Sequence, residues 1–297
     1  MRSWSRTPTH GRSGRRRCEA SCATRHGPRR SRPRLPCPCS CVAAPRFGRL
    51  YASAVLRPFA EQLIQETGLR DGSVACDLLC DGGALSGALA AAVGRGSLVV
   101  SDVDSALVES VARDLAAARC SVRGVACDGQ TLPMESASCD CVASLFTIGF
   151  GDGDALMLEA LRVTRPGGTV MMVHWDADAL PAHEDALAAA LIEVTGTRTA
   201  FFDHIAPRLQ LPRGASVSRL ADLVRFDGIQ HYWNAMVIER NFGDEQRPVS
   251  DDELASVRAI CEARLAPYTA ADGTMRIPVE AALVRMTAQA EPYDACA

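Results

Sequence analysis

Two acids and a pair of adjacent glycines supply the chemistry most readily read from this chain. In Asp77-Leu78-Leu79-Cys80-Asp81-Gly82-Gly83 an apolar strand closes and an alanine-rich helix opens. A strand-to-helix turn of this kind lets a ligand lie against bare backbone, beside the partly positive start of the helix. Nineteen residues beyond Gly83 a second apolar run, Leu98 to Ser101, ends at Asp102, the spacing at which a doubly wound fold places an acid on a ribose. The pair describes a site for a mononucleotide-like cofactor, and both NAD(P) and S-adenosylmethionine (SAM) suit it. A dinucleotide needs G-x-G-x-x-G for the turn, the pyrophosphate approach and the helix packing. Asp81-Gly82-Gly83-Ala84-Leu85-Ser86-Gly87 does not supply it, which disfavours an NAD(P) oxidoreductase.

The elements that hold these residues alternate. A leading helix is expected where Leu50, Val55, Leu56, Phe59, Leu63 and Ile64 recur at helical intervals up to Gly68, packed over the cofactor cleft. Strand Val74–Leu79, helix Leu85–Val93, strand Leu98–Ser101 and a helix from Ser105 to Ala118, with Asp104 as its N-cap, follow in βαβα order. A strand at Val122–Ala126 leads to Cys127-Asp128, and the run Cys139–Phe146 makes a fourth. Helix Ala155–Val163, capped by Asp154, then reaches Arg165-Pro166-Gly167-Gly168, a turn with proline setting φ and glycine supplying positive φ, before strand Thr169–Trp175. These are five parallel strands. Beyond Trp175 the pattern predicts helices over about 182–195 and 216–225 and a strand pair at Ile229–Trp233 and Ala235–Arg240. A capping box, Ser250-Asp251-Asp252-Glu253, opens a helix over 251–266, and a last strand is expected at Ala281–Met286.

Composition narrows the classes. A 297-residue chain with 47% hydrophobic residues can fill a sizeable core, while its apolar runs fall far short of the ~20 residues that span a bilayer. No membrane span and no signal sequence are expected. The net charge of -3 hides a split: Met1 to Arg46 holds twelve arginines against one acid, Glu19, and the remainder is strongly acidic. An acidic body repels phosphate backbones, so nucleic acid is not expected as a partner. Residues 1–45, rich in Arg, Pro and Ser, cannot bury enough apolar surface to fold alone and read as a disordered arm. The body then reads as cytoplasmic, with organelle import if the arm is a transit peptide. Of thirteen cysteines, Cys76, Cys80, Cys127, Cys139 and Cys141 lie in or beside apolar runs and read as packed thiols. Cys18, Cys22, Cys37, Cys39 and Cys41 of the arm match no usual metal finger, and no metal is expected.

Taken with the segments downstream, the turn resembles that of the class I SAM-dependent methyltransferases, in the small-molecule branch called methyltransferase type 11. Val74-Ala75-Cys76-Asp77-Leu78-Leu79-Cys80-Asp81-Gly82-Gly83 is similar to the family's V-L-D-L-G-C-G-T-G. Asp128 with Leu132-Pro133 resembles its G-D-A-x-x-L-P, Ser138-Cys139-Asp140 its S-F-D, and Leu161-Arg162-Val163-Thr164-Arg165-Pro166-Gly167-Gly168 its L-x-R-V-L-R-P-G-G. Arg57-Pro58-Phe59-Ala60-Glu61 is similar to the helix before the family's core, so the resemblance spans roughly 47–290. It implies an α/β, Rossmann-like doubly wound, seven-stranded, mostly parallel sheet with helices on both faces and a helical cap. Domain 46–290 would comprise a leading helix (46–72), a cofactor-binding core (73–178) and a cap with C-terminal strands (179–290).

The same resemblance implies the ligand set. Asp77 orients the turn and reaches the methionine ammonium, Cys80, Asp81, Gly82 and Gly83 lie along the methionine tail, and Asp102 takes the ribose hydroxyls beside Val103. Cys127, Asp128 and Gly129 lie at the adenine, with Leu145 and Phe146 flanking the ligand. Leu79 and Asp81 stand where the family has glycines. The implied activity is methyl transfer from SAM to a small organic acceptor, and the alternative is a catalytically inactive, methyltransferase-like binding or assembly protein. A base is optional when the methyl is already activated. His174, at the end of the fifth strand, is the first candidate, with His183, His204 and His231 as others. Asp152-Gly153-Asp154 lacks the glycine and glutamate of a calcium loop. Phe201, Phe202, Tyr232, Trp233 and Met236 form an apolar face for a hydrophobic acceptor, the core or a homodimer contact.

Overall fold

The computed structural model describes residues 47–197, 199, 201–238 and 249–289. The Arg-rich arm and its five cysteines, the arm's transit-peptide reading, and Arg240 of the expected strand pair lie outside them. The leading segment consists of a helical turn Arg49–Tyr51, a π-helical stretch Ala52–Leu56 and helix α1 (Arg57–Thr67). Phe59, Ala60 and Leu63 are buried along one side of α1, and Gly68 ends it at φ +68°, where a side chain would be strained.

The sheet then builds from β1 (Val74–Leu78), α2 (Ala84–Val93), β2 (Ser97–Asp102), α3 (Ser105–Asp114) and β3 (Ser121–Ala126). It continues through β4 (Cys139–Leu145), α4 (Gly153–Val163) and β5 (Thr164–His174). The carboxylate of Asp104 caps α3 by accepting the Ala106 amide, as expected. The cap of α4 differs: Asp152 accepts the Ala155 amide, and Asp154 lies inside the first turn, where its charge still favours the helix start. The Arg165–Gly168 turn becomes a bulge within β5, with Gly167 at φ +80°.

After β5 come α5 (Ala182–Thr195), α6 (Phe201–Ile205), β6 (Ser216–Phe226), α7 (Ile229–Trp233), a second π-helical stretch (Asn234–Ile238), α8 (Asp251–Leu265) and β7 (Met275–Thr287). The capping box of α8 is formed by Ser250 and Glu253. Two of the elements expected after β5 change type. Residues 216–225 form an edge strand, because all of Ser216–Phe226 pairs with β7 from Met275 to Arg285, and that ladder outweighs the helix-like spacing of Leu220 and Val224. The segment 229–238 is helical, burying Tyr232, Trp233, Ala235 and Met236 together, a grouping that a two-residue alternation cannot give.

Strand order is β3-β2-β1-β4-β5-β7-β6. The first five strands are parallel and β7 runs antiparallel to both β5 and β6, which is the seven-stranded, mostly parallel sheet expected. Alternate residues face two apolar layers: Ala75, Leu98, Cys141, Met171 and Val173 pack under α1 and α2, and Cys76, Leu78, Val142 and Met172 pack under α4. Cys76, Cys80, Cys139 and Cys141 are buried thiols, and Cys127 is half-buried. Among the described residues no helix is long and apolar enough to cross a membrane.

Candidate cofactor site

The chain leaves β1 in one direction for β2 and later returns to its other edge as β4, so the strand order reverses at β1. In open α/β sheets the crevice outside the carboxyl ends of the strands at such a reversal is the ligand site. Here it is a cavity of about 140 Å³. Its floor is Asp77, Leu79, Cys80, Asp81 and Gly82 with Leu145 from β4, one wall is Leu107, Ser110, Val111 and Asp114 of α3, and its roof is Phe47, Arg49, Ala52 and Leu56 of the leading segment.

The turn obtains its shape in spite of its residue types. Leu79 and Asp81 hold φ of +60° and +48°, conformations that glycine adopts freely and that cost an L-residue about 1–2 kcal/mol each. Phe146, directly after β4, adds a third at +59°. Strained residues at the carboxyl edges of two neighbouring strands mark a place the surrounding structure holds firmly. The Cys80 amide donates to the Ser101 carbonyl at 2.8 Å, and the Gly83 amide to the Cys80 carbonyl at 2.8 Å. A Cβ on Gly83 would come within 2.9 Å of Val111, so glycine also lets α2 approach α3.

The acids are buried. Asp102 is wholly inaccessible, and its carboxylate accepts the Asp81 amide at 3.1 Å and the Asp104 amide at 3.2 Å. Asp77 is almost as deep and accepts the Ser86 hydroxyl at 2.5 Å. Burial pushes the Asp77 carboxyl up to about 7, against the lowering effect of the Ser86 bond, and the charges of Asp102 and Asp81 add to the rise.

Of the residues expected around a nucleoside, the structure brings Asp77, Cys80, Asp81, Gly82 and Leu145 into one cavity, with Gly83 at the start of α2 and Asp102 tied to the turn through the Asp81 amide. Gly83, Asp102, Val103, Cys127, Asp128, Gly129 and Phe146 are not in its lining. Asp128 is exposed and turns back on its own loop, accepting the Gln130 amide at 3.0 Å. Phe146 is buried between Phe59 and Trp175, with ring centroids 5.5 and 4.4 Å away. Gly129 lies against Leu156 and Leu78, at 2.6 and 2.9 Å from where its Cβ would stand, and Leu79 Cδ2 is 3.7 Å from the same point. The turn, the buried acids and the glycine cradle fit a nucleoside with an amino-acid tail, but the cavity is smaller than the ~300–1,000 Å³ usual for small-molecule sites.

The histidines are dispersed. His174 is not in the cavity lining; its Nδ1 is 2.8 Å from the Trp175 carbonyl, and burial lowers its pKa. His183 is buried on α5, 5.6 Å from the Trp175 ring, His204 stacks on Phe150, and the Nδ1 of His231 accepts the Asp227 amide. Phe202, Tyr232 and Met236 of the expected apolar face belong to the core. The α3 wall was not foreseen from sequence, because Ser110 and Asp114 lie in an ordinary amphipathic helix with no local mark.

The sequence model of the methyltransferase domain family matches residues 75–168, a span that begins within β1 and ends at the glycines of the β5 bulge. The matched span includes the Asp77–Gly83 turn and Asp102. No curated protein matches the chain at sequence level. Solved structures share the fold. A candidate methyltransferase from an antibiotic biosynthesis pathway of Anabaena variabilis superposes with a TM-score of 0.53 at 14% identity, over 80% of this chain and 99% of that one. A candidate type II methyltransferase from Anaeromyxobacter dehalogenans gives 0.51 at 17% identity, over 84% and 100%. The YcgJ protein from Bacillus subtilis gives 0.50 at 11% identity, over 78% and 98%. The span matched by the family model thus lies in a Rossmann-like sheet of the fold that these structures share.

Proposed function

We propose that this chain transfers a methyl group from SAM to a small organic acceptor. The observation that carries the reading is the Asp77–Gly83 turn at the strand-order reversal, with Asp102 fastened beneath it at the end of β2. SAM supplies an already activated sulfonium methyl, so the chain's task is to bind, align and exclude water. Asp77 meets the ammonium. Cys80, Asp81, Gly82 and Gly83 lie along the methionine tail, and Asp102 and Val103 serve the ribose. Cys127, Asp128 and Gly129 serve the adenine, with Leu145 and Phe146 beside the ligand. The acceptor is held between the carboxyl edge of the sheet and the segment after Trp175, where Phe47, Phe150 and Phe201 pack edge to face. Calorimetric titration with SAM and S-adenosylhomocysteine tests the reading: saturable micromolar binding supports it.

A second reading, a non-catalytic binding or assembly protein on the same fold, is favoured by one observation. Leu79 and Asp81 put side chains where a nucleoside cleft is usually bare, and about 140 Å³ remains. A folded chain that binds neither compound at millimolar concentration decides for this reading.

A further inference from the structure

Asp81 is the departure that the proposed activity leaves unexplained. A glycine would hold φ +48° without strain, whereas the aspartate keeps the conformation and adds a carboxylate. That carboxylate reaches the roof: the Phe47 amide donates to Asp81 Oδ2 at 3.2 Å, with both residues buried. Four residues on, the Tyr51 hydroxyl donates to Glu184 Oε1 of α5 at 2.7 Å, and neither side chain is accessible. The Phe47 and Tyr51 rings stack, with centroids 5.0 Å apart and planes at 14°. Both polar contacts therefore hang from one face of one short segment.

That segment packs into the core through Tyr51, Val55 and Leu56, but its backbone differs in geometry from α1. Its last five residues, Ala52–Leu56, are π-helical, a geometry that interrupts the regular ladder and recurs at functional places. Below it α1 is fixed, with Phe59 and Leu63 in the core and Gln62 Nε2 donating to Asp222 Oδ2 at 2.6 Å. In the aromatic layer behind Phe59 and Phe146, the wholly buried Trp175 Nε1 has no hydrogen-bond partner among the described residues, an arrangement proteins seldom leave unmet. The roof meanwhile leaves about 140 Å³ above the turn.

We propose that residues 47–56 are a latched lid. Phe47–Asp81 and Tyr51–Glu184 hold it shut, the Ala52–Leu56 stretch is its hinge, and a nucleoside loads only when both contacts release. Asp81 is then a latch residue in a position the family gives to glycine. The loading role rests on the cofactor reading above, while the latch is a property of the ligand-free chain.

Hydrogen exchange followed by mass spectrometry, on the full ligand-free chain and its Asp81→Gly and Tyr51→Phe variants, tests the latch. Expected is at least tenfold faster exchange at 47–56 in both variants, with β1 and β4 unchanged, and at least fivefold faster association of S-adenosylhomocysteine by stopped flow. Asp81→Gly removes backbone strain, so it keeps the test open if Tyr51→Phe folds poorly. Unchanged exchange at 47–56 in both variants overturns the latch, as does acceleration spread equally through β1 and β4. Faster exchange at 47–56 with no binding of S-adenosylhomocysteine to any of the three chains upholds the latch and overturns the cofactor reading. Equal association rates with unchanged exchange do the reverse.

Discussion

Asp81 and Asp102 are joined through the backbone: the Asp81 amide donates to Asp102 Oδ2 at 3.1 Å, so the acid ending β2 sets the turn that follows β1. The other oxygen of Asp102 accepts the Asp104 amide and thereby positions the cap of α3. One carboxylate thus fixes the two helix starts that border the cavity.

Asp102→Ala removes the acceptor of both amides. Leaving two such donors unmet costs about 2–4 kcal/mol, which chemical denaturation will register as an earlier midpoint. Asp102→Asn keeps one acceptor oxygen and is expected to lose less than half as much. If the carboxylate also takes ribose hydroxyls, both variants bind S-adenosylhomocysteine at least tenfold more weakly than the parent chain in calorimetric titration.

Leu79→Gly sets two effects against each other. Releasing φ +60° gains about 1 kcal/mol, whereas deleting a buried leucine that packs toward Gly129 costs about 2–5 kcal/mol. The expected net is a loss of about 1–4 kcal/mol in denaturant unfolding. At the same time the cavity opens toward Asp128 and Gly129, and affinity for S-adenosylhomocysteine is expected to rise at least tenfold.

The core was legible because its signals are local. Asp77 and Asp102 close runs of apolar residues, Asp104 stands one residue before its helix, and Ser250 lies three before Glu253, so each element's end is written within a few positions. The misread elements are those decided by distant partners. Ser216–Phe226 carries leucine and valine at a helical interval, yet β7 offers it an unbroken ladder. Ile229–Ile238 is rich in residues that favour strands, yet its burial follows one helical side. The site divided in the same way. Its glycine turn could be read from seven residues, but the contact between Tyr51 and Glu184 spans 133 positions and leaves no trace in either neighbourhood.

Arg162 ties the loop after β3 to α4. It pairs with both oxygens of Glu159, each at 2.7 Å, and donates to the carbonyls of Leu132 and Met134, while the Leu132 amide donates to Glu159 Oε1. Burial works upward on the Glu159 carboxyl, but the Arg162 bond and the Leu132 amide hold it below its usual value. A depressed carboxyl contributes stability that is present above its unfolded pKa and lost as pH falls through the folded one. Arg162→Ala is expected to cost about 1–3 kcal/mol near neutrality, the exposed side of the arginine moderating the loss. The difference from the parent should shrink as pH is lowered below 4, which thermal unfolding across pH will show.

Asp77 has the opposite sign. Its carboxyl titrates at about 7 in the fold against 3.8 when unperturbed, with burial the main cause. Between those values the folded chain binds the extra proton, so stability falls as pH rises from about 4 to about 7 and levels off above. Each tenfold change in proton affinity is worth about 1.36 kcal/mol, so the penalty at pH 8 is on the order of a few kcal/mol. Asp77→Asn keeps a hydrogen-bond acceptor for Ser86 and carries no charge to bury, so its unfolding midpoint should exceed the parent's at pH 8 and approach it at pH 4. A ligand ammonium seated on Asp77 would repay the buried charge and drive the proton off. Titration of the parent with S-adenosylhomocysteine at pH 6 in buffers of different ionisation enthalpy should therefore register proton release. The release should vanish in Asp77→Asn, and its absence from the parent would show that Asp77 does not meet the ammonium.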